Sequence, residues 1–275
     1  MPAAVVPVAI GAGCAVGLDD DVVWWRVGLA LIVSLALQVG VNYANDYSDG
    51  VRGTDDVRVG PARLVASGLA AASAVKTAAI VAFAVAAVAG LAVALTTSLW
   101  LLVVGVAAIA AGWFYTGGSH PYGYMGLGEV FVFVFFGLVA TVGTTFAAVE
   151  TITPLSIVMG GAAGALACAL LVINNLRDIP TDREVGKRTL AVRLGDERTR
   201  WFYVSLIVLA FVLVIVAAVD RTPVVLALFA TPLAVAPVRR VLSGAQGPAL
   251  IGVLGATGRL QLAFGALATI GLLLG

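Results

Sequence analysis

Two clusters of acidic and amide side chains, far apart in the chain, have the residue types and spacing to do chemistry. Each cluster holds two carboxylates on one helical face, three residues apart in the first cluster and four in the second. Each also places an asparagine four residues before its first aspartate. The matched spacing predicts two halves of one site, formed by Asn42, Asn45, Asp46 and Asp49 in the first cluster and by Asn174, Asn175, Asp178 and Asp182 in the second.

Carboxylates at the end of an apolar helix repel one another and are costly to desolvate, so this arrangement needs a neutralising partner. Oxygen ligands favour Mg²⁺, which commonly takes one or two carboxylates together with the phosphate oxygens of a substrate. Basic residues beside both clusters could bind the remaining phosphate charge; they are Arg52, Arg58, Arg63, Arg177, Lys187 and Arg188. The alternative is a pair of solvated loops in which the basic residues only set membrane topology.

The composition excludes the soluble classes of protein. Of 275 residues, 61% are hydrophobic and 11% are charged, whereas soluble domains usually carry about 25% charged residues. The formal net charge of +1 argues against a nucleic-acid partner, which would need a basic surface. The chain is therefore predicted to lie in a lipid bilayer.

Nine apolar runs are long enough to cross the roughly 30 Å of hydrocarbon. Their length and continuity favour helices over barrel strands, because backbone groups have no water to bond inside lipid. We predict an all-α membrane protein, with residues 1–275 forming a single domain of nine transmembrane helices around a central cavity. The predicted spans are 2–18, 22–43, 74–96, 98–115, 128–148, 153–176, 200–219, 222–242 and 251–274.

The distribution of basic residues predicts the orientation. When the nine spans are threaded alternately, 14 of the 16 Lys and Arg accompany breaks on one side, and only Arg26 and Arg221 fall on the other. Cytoplasmic loops carry the excess of Lys and Arg, so both clusters and the mouth of the cavity are expected on the cytoplasmic side. The N-terminus is then inside and the C-terminus outside.

A diphosphate-binding site next to an apolar cavity is typical of a protein that binds a lipid with a diphosphate head, and an isoprenyl diphosphate fits this description. Metal and cations would stabilise the departing diphosphate while the allylic fragment gains positive charge. The acceptor would be an electron-rich partner.

The strings Asn45-Asp46-x-x-Asp49 and Asp178-x-x-x-Asp182, each closing a membrane helix, resemble the UbiA superfamily of intramembrane aromatic prenyltransferases over essentially the whole chain. Longer strings are similar to its naphthoate branch in menaquinone synthesis. They include Tyr115-Thr116-Gly117-Gly118, the stretch from Pro121 to Glu129, and the stretch from Asp182 to Gly195. One departure is Gly53, which stands where the superfamily has a third aspartate; Asp55 follows two residues later.

The resemblance implies an enzyme of the prokaryotic plasma membrane that transfers a polyprenyl group to 1,4-dihydroxy-2-naphthoate, with loss of CO₂ and diphosphate, to give demethylmenaquinone. It implies that Arg63, Lys187 and Arg188 bind the diphosphate and that Tyr115 and Thr116 contact a substrate. It assigns the Mg²⁺ ligands to Asn45, Asp46, Asp49, Asp178 and Asp182.

Two alternatives stay open from the sequence. The acceptor could instead be 4-hydroxybenzoate, homogentisate or haem, with the same chemistry at the prenyl diphosphate. In a different class of protein, a cation-coupled transporter, the aspartates would bind the coupling ion. Transporter sites tend to lie near the bilayer midplane at broken helices, whereas these charges lie at helix ends.

Overall fold

The protein folds into a bundle of helices in this computed structural model, which describes residues 1–18, 21–54 and 63–275. Within these ranges the chain is helical without a β-sheet, which confirms the predicted all-α class. The helices are α1 (Pro2–Ala15), α2 (Trp24–Arg52), α3 (Ala72–Thr96), α4 (Trp100–Phe114), α5 (Gly128–Val149), α6 (Pro154–Glu184), α7 (Leu190–Leu194), α8 (Asp196–Ala217), α9 (Thr222–Leu242) and α10 (Ala249–Leu274).

Seven of the described helices are long and apolar enough to cross a membrane: α2, α3, α5, α6, α8, α9 and α10. Two shorter apolar helices, α1 and α4, with 14 and 15 residues, lie where two further spans were predicted. Such lengths fall below the roughly 17 residues that a perpendicular span needs. The count of nine crossings therefore stays a prediction.

Helices α2 and α6 are long enough to carry their last turns beyond the apolar layer. They contain 29 and 31 residues, against about 20 for a typical span. Both continue in helical conformation through their acidic clusters, as predicted. Gly53 follows the last residue of α2 and terminates the helix, with a φ of 69°, a left-handed conformation that glycine adopts without strain. The two clusters thus lie on helical turns that hold their side chains in fixed directions.

Helix α6 is the centre of the bundle. It begins with a capping box between Thr153 and Ser156, and its packing partners include α1, α5, α8 and α10. Glycine and alanine fill its first half, which lets neighbouring backbones approach closely. At Gly137 of α5, within a π-helical stretch, an added Cβ would lie 2.4 Å from the Cα of Gly164 in α6. This contact sets the distance between the two helices that carry much of the cavity wall.

Arg26 and Arg221 tie helix ends together at the end of the bundle opposite the acidic clusters. Arg26 lies 2.8 Å from the carboxylate of Glu150 and also donates to the carbonyl of Thr96. Arg221 donates to the carbonyl of Leu272 at 2.9 Å. The two basic residues that the charge count separated from the rest therefore share one end of the bundle. The assignment of that end to the outside of the cell stays a prediction.

Replacing Gly137 by alanine is expected to destabilise the protein, because the new methyl group overlaps the α6 backbone. Overpacking of this kind costs about 1–3 kcal/mol. Gly143, in the same helix with no atom within 4 Å of an added Cβ, provides the control. Chemical unfolding of purified protein in detergent measures both variants. Equal stability of Gly137→Ala and Gly143→Ala would contradict the close contact.

Candidate active site

The two acidic clusters meet at one cavity of about 1270 Å³ in the middle of the bundle. Asp49 from α2 and both Asp178 and Asp182 from α6 line it. Asparagines of both helices line the same cavity, and beyond them its wall becomes apolar. The asparagines are Asn42, Asn45, Asn174 and Asn175. The structure therefore brings together residues separated by about half the chain, as the matched spacing predicted.

Asp49 is the most connected carboxylate of the first cluster, and it is only 5% exposed. One oxygen accepts a hydrogen bond from the hydroxyl of Tyr124, and the other lies 3.2 Å from Nζ of Lys187. The Lys187 ammonium also lies 4.8 Å from the centre of the Tyr124 ring, a cation–π contact. Asp49 thus binds the turn before α5 and the segment after α6 to the end of α2.

Asp46 makes a different set of contacts from its neighbour. Its two carboxylate oxygens accept hydrogen bonds from the backbone N–H groups of Leu64 and Val65, at 2.9 and 3.0 Å. This pairing anchors the segment that carries Arg63, which lines the cavity. The structure places Asp46 as a support for that segment, and its predicted role as a metal ligand stays a prediction.

In the second cluster, Asp178 pairs with its neighbour in sequence. Nε and Nη2 of Arg177 lie 2.6 and 2.7 Å from its two oxygens, a bidentate pair. Asp182 accepts a longer hydrogen bond of 3.5 Å from the hydroxyl of Thr189. Both carboxylates are at least nine-tenths buried. Each half of the site therefore contains a carboxylate and a cation in contact.

The predicted phosphate-binding cations differ in their positions, and one of them, Arg177, pairs with Asp178. Arg63 and Lys187 line the cavity. Arg52 instead donates to the backbone carbonyls of Thr116 and Gly118, so it holds the segment after α4. The Arg188 side chain is exposed. Two further residues singled out in the sequence, Arg58 and Asp55, lie outside the described residues.

Side chains after α4 complete the wall beside the first cluster. The hydroxyl of Thr116 donates to Oδ1 of Asn45 at 2.8 Å. Tyr115 also lines the cavity and begins a row of aromatic rings in contact. The row continues through Tyr122, Phe131 and Phe135, with neighbouring ring centres between 4.0 and 6.1 Å apart. It leads from the polar end of the cavity along the inner face of α5.

Tyr124 is a site residue that the sequence reasoning missed. It lies within the stretch from Pro121 to Glu129, but a tyrosine in a loop carries no signal of its partner 75 residues away. Burial, then the charge of Asp49 and its hydrogen bond, raises the pKa of the Tyr124 phenol above its ordinary value. The phenol therefore stays a hydrogen-bond donor at neutral pH.

The donor set fits Mg²⁺ that arrives with a diphosphate. The described residues contain no group of three or more His, Cys, Asp or Glu side chains arranged to hold a metal by themselves. Mg²⁺ usually takes only one or two carboxylates and completes its shell with phosphate oxygens and water. The carboxylates and amides at the polar end supply oxygen ligands of this kind.

A comparison with family models matches residues 4–249 to the UbiA prenyltransferase family. The chain is 51% identical over 273 residues to the 1,4-dihydroxy-2-naphthoate octaprenyltransferase of Mycobacterium tuberculosis (strain ATCC 25618 / H37Rv), covering 99% of this chain and 93% of that one. It is also 51% identical over 258 residues to the protein of the same name from Mycobacterium leprae (strain TN), covering 94% and 87%.

Solved structures share the fold at low sequence identity. A UbiA homolog from Aeropyrum pernix K1 in its apo form superposes with a TM-score of 0.72 and 17% identity, covering 99% of this chain and 97% of that chain. A UbiA homolog from Archaeoglobus fulgidus bound to GPP and Mg²⁺ gives a TM-score of 0.64 and 15% identity, covering 97% and 95%. The chain belongs to the UbiA prenyltransferase family and is a membrane-embedded prenyltransferase.

Proposed function

We propose that this enzyme transfers a polyprenyl group from its diphosphate to 1,4-dihydroxy-2-naphthoate, releasing diphosphate and CO₂ and forming demethylmenaquinone in its reduced, hydroquinone form. The observation that carries the proposal is the meeting of the two acidic clusters at the polar end of a large, mostly apolar cavity. The shared name of the two mycobacterial relatives supports the choice of acceptor.

The prenyl diphosphate would place its head at the polar end and its tail along the apolar wall. Arg63 and Lys187 line the cavity beside the carboxylates, and they would bind phosphate oxygens. Asp49, Asp178 and Asp182 would hold Mg²⁺, with Asn45 and Asp46 completing the predicted ligand set. Bound there, the metal would supply positive charge that stabilises the leaving diphosphate.

The bond changes balance without a further co-reactant. The bond between prenyl C1 and the diphosphate oxygen breaks, and its electron pair leaves with diphosphate. The electron-rich ring then forms a bond to C1 at the carbon that bears the carboxylate. Loss of CO₂ returns the electron pair of the broken carbon–carbon bond to the ring and restores its aromaticity. Tyr115, Tyr122 and Phe131 present π faces or edges along the cavity where the allylic charge would develop.

We also propose that the polar end of the cavity faces the cytoplasm of a prokaryotic cell, with the N-terminus inside and the C-terminus outside. The support is the count of 14 basic residues against 2.

Purified protein supplied with carboxyl-labelled naphthoate, a polyprenyl diphosphate and Mg²⁺ is expected to release labelled CO₂ and diphosphate. EDTA should abolish release, and excess Mg²⁺ should restore it. The measurement is product formation by chromatography together with CO₂ trapping. Parallel reactions with 4-hydroxybenzoate, homogentisate and haem identify the acceptor. Preferential prenylation of one of these would overturn the naphthoate assignment, and unchanged substrates in every reaction would overturn the proposed enzyme activity.

Asp49→Asn and Asp178→Asn are each expected to lower kcat/KM by about a hundredfold or more, because electrostatic stabilisation of the leaving group depends on these charges. The effect is measured as turnover at saturating Mg²⁺, with thermal unfolding to check the fold. Asp220→Asn, an exposed aspartate in the turn between α8 and α9, is the matched control. Near-normal turnover in both site variants would contradict the role of the carboxylates.

Tyr124→Phe is expected to raise KM for the prenyl diphosphate and to lower kcat/KM by about tenfold, the order expected for a hydrogen bond to a charged group. Without the phenol, Asp49 has Lys187 as its main partner and holds it more tightly away from phosphate. Steady-state kinetics measure the change, and Tyr43→Phe, in the same helix as Asp49, is the control. Unchanged kinetics in Tyr124→Phe would show that the hydrogen bond has no part in substrate binding.

A further inference from the structure

Glu129 is a buried carboxylate in the first turn of α5 that the proposed chemistry leaves without a role. It is only 4% exposed. One oxygen, Oε1, accepts a hydrogen bond of 2.8 Å from Nδ2 of Asn175 in α6. The other, Oε2, is buried without a hydrogen-bond partner among the described residues. Burying a carboxylate in this way is costly, so its contact with Asn175 needs an explanation beyond packing.

The favourable position at a helix N-terminus does not account for Glu129. The interaction of a carboxylate with the helix dipole in the first turn stabilises the protein by less free energy than the desolvation of a buried charge costs. The backbone N–H of Leu127, the residue before the helix, donates to the carbonyl of Tyr122 at 3.3 Å and not to Glu129. A solvated aspartate or serine would serve the helix end at lower cost. What Glu129 provides in addition is a fixed direction for the Asn175 amide.

Asn175 lies at the level of the cavity where the substrates must meet. It is half-buried and lines the cavity one helical turn before Asp178. One helical turn before Asn175 in α6, Leu171 lines the apolar wall of the cavity. A prenyl diphosphate with its head at the carboxylates and its tail among apolar side chains would place C1 near this level. The acceptor ring has to approach C1 there.

The side-chain amides of Asn45 and Asn175, one from each acidic cluster, leave opposite groups available for a further hydrogen bond. Oδ1 of Asn45 accepts from Thr116, so its NH₂ group is left as a donor. Nδ2 of Asn175 donates to Glu129, so its oxygen is left as an acceptor. An amide oxygen can accept a hydrogen bond from a ring hydroxyl, but it repels a phosphate oxygen. The Asn175 oxygen therefore suits the hydroxylated aromatic acceptor and not the diphosphate.

We propose that Glu129 is a positioning residue that turns the Asn175 amide so that its oxygen accepts a hydrogen bond from a ring hydroxyl of the aromatic acceptor. The inference rests on the proposed function, and it names the part of the site that recognises the acceptor. Glu129 acts only through Asn175.

Glu129→Met and Glu129→Gln separate this role from a structural one. Methionine has a similar volume but cannot accept the hydrogen bond, so the KM for the aromatic acceptor should rise about fivefold. Glutamine retains an acceptor oxygen for Nδ2 of Asn175, so its KM should stay within about twofold of the wild-type value. In both variants the KM for the prenyl diphosphate and the Mg²⁺ requirement should not change.

Asn175→Leu and the double variant Glu129→Met/Asn175→Leu test whether the two residues act together. Asn175→Leu should raise the acceptor KM at least as much as Glu129→Met, and the double variant should be no worse than Asn175→Leu alone. Glu150→Met, at the other end of α5, is the control and should leave both KM values unchanged.

Several results would overturn the inference while the wild-type enzyme transfers the prenyl group normally. One is an unchanged acceptor KM in Glu129→Met, and another is a rise in the KM for prenyl diphosphate or in the Mg²⁺ requirement in either Glu129 variant. The others are additive effects in the double variant and equal rises of the acceptor KM in Glu129→Gln and Glu129→Met. A wild-type protein that transfers nothing would overturn the proposed function itself, and this inference with it.

Discussion

The structure depends on the compensation of negative charge that is buried at the end of an apolar bundle. Asp49, Asp178 and Asp182 are each at least nine-tenths buried, where an uncompensated charge is far more costly than in water. Asp49 contacts Lys187 and Asp178 contacts Arg177. The contacts of Asp49 with Lys187 and Tyr124 also hold the segment before α7 and the turn before α5 against the end of α2, so the same electrostatic requirement shapes the site and joins elements that form it.

The pairing of buried carboxylates with neighbouring cations also suits the site to a ligand that brings both negative and positive charge. A diphosphate with its metal brings anionic oxygens for the cations and a cation for the carboxylates. In the proposed complex, Lys187 would bind phosphate in place of Asp49 and Asp49 would bind the metal, so the local charge would stay balanced. A phosphate without metal would leave carboxylates unpaired, and a metal without phosphate would leave cations unpaired. Compensation of this kind favours the complete metal–diphosphate pair.

Much of this arrangement was predictable from the sequence, because hydropathy and helical spacing are local properties. The all-helical class, the continuation of α2 and α6 through their acidic pairs, and the meeting of the two clusters all followed from such patterns. Contacts between remote segments did not follow from such patterns. Arg52 was expected at phosphate but holds the carbonyls of Thr116 and Gly118, and Tyr124 was not singled out. Side-chain direction at a helix end depends on partners that composition does not reveal.

The two acidic clusters are similar in sequence, but the structure gives them different partners. In the first half, Asp49 is linked to a phenol and an ammonium, and Asn45 is turned by a threonine hydroxyl. In the second half, Asp178 is linked to a guanidinium, and Asn175 is turned by a carboxylate. A symmetric pair of half-sites would present the same donors and acceptors to both substrates. The proposed reaction joins an anionic diphosphate ester to a hydroxylated ring and needs unlike surfaces, which the opposite amide orientations on similar helices would supply.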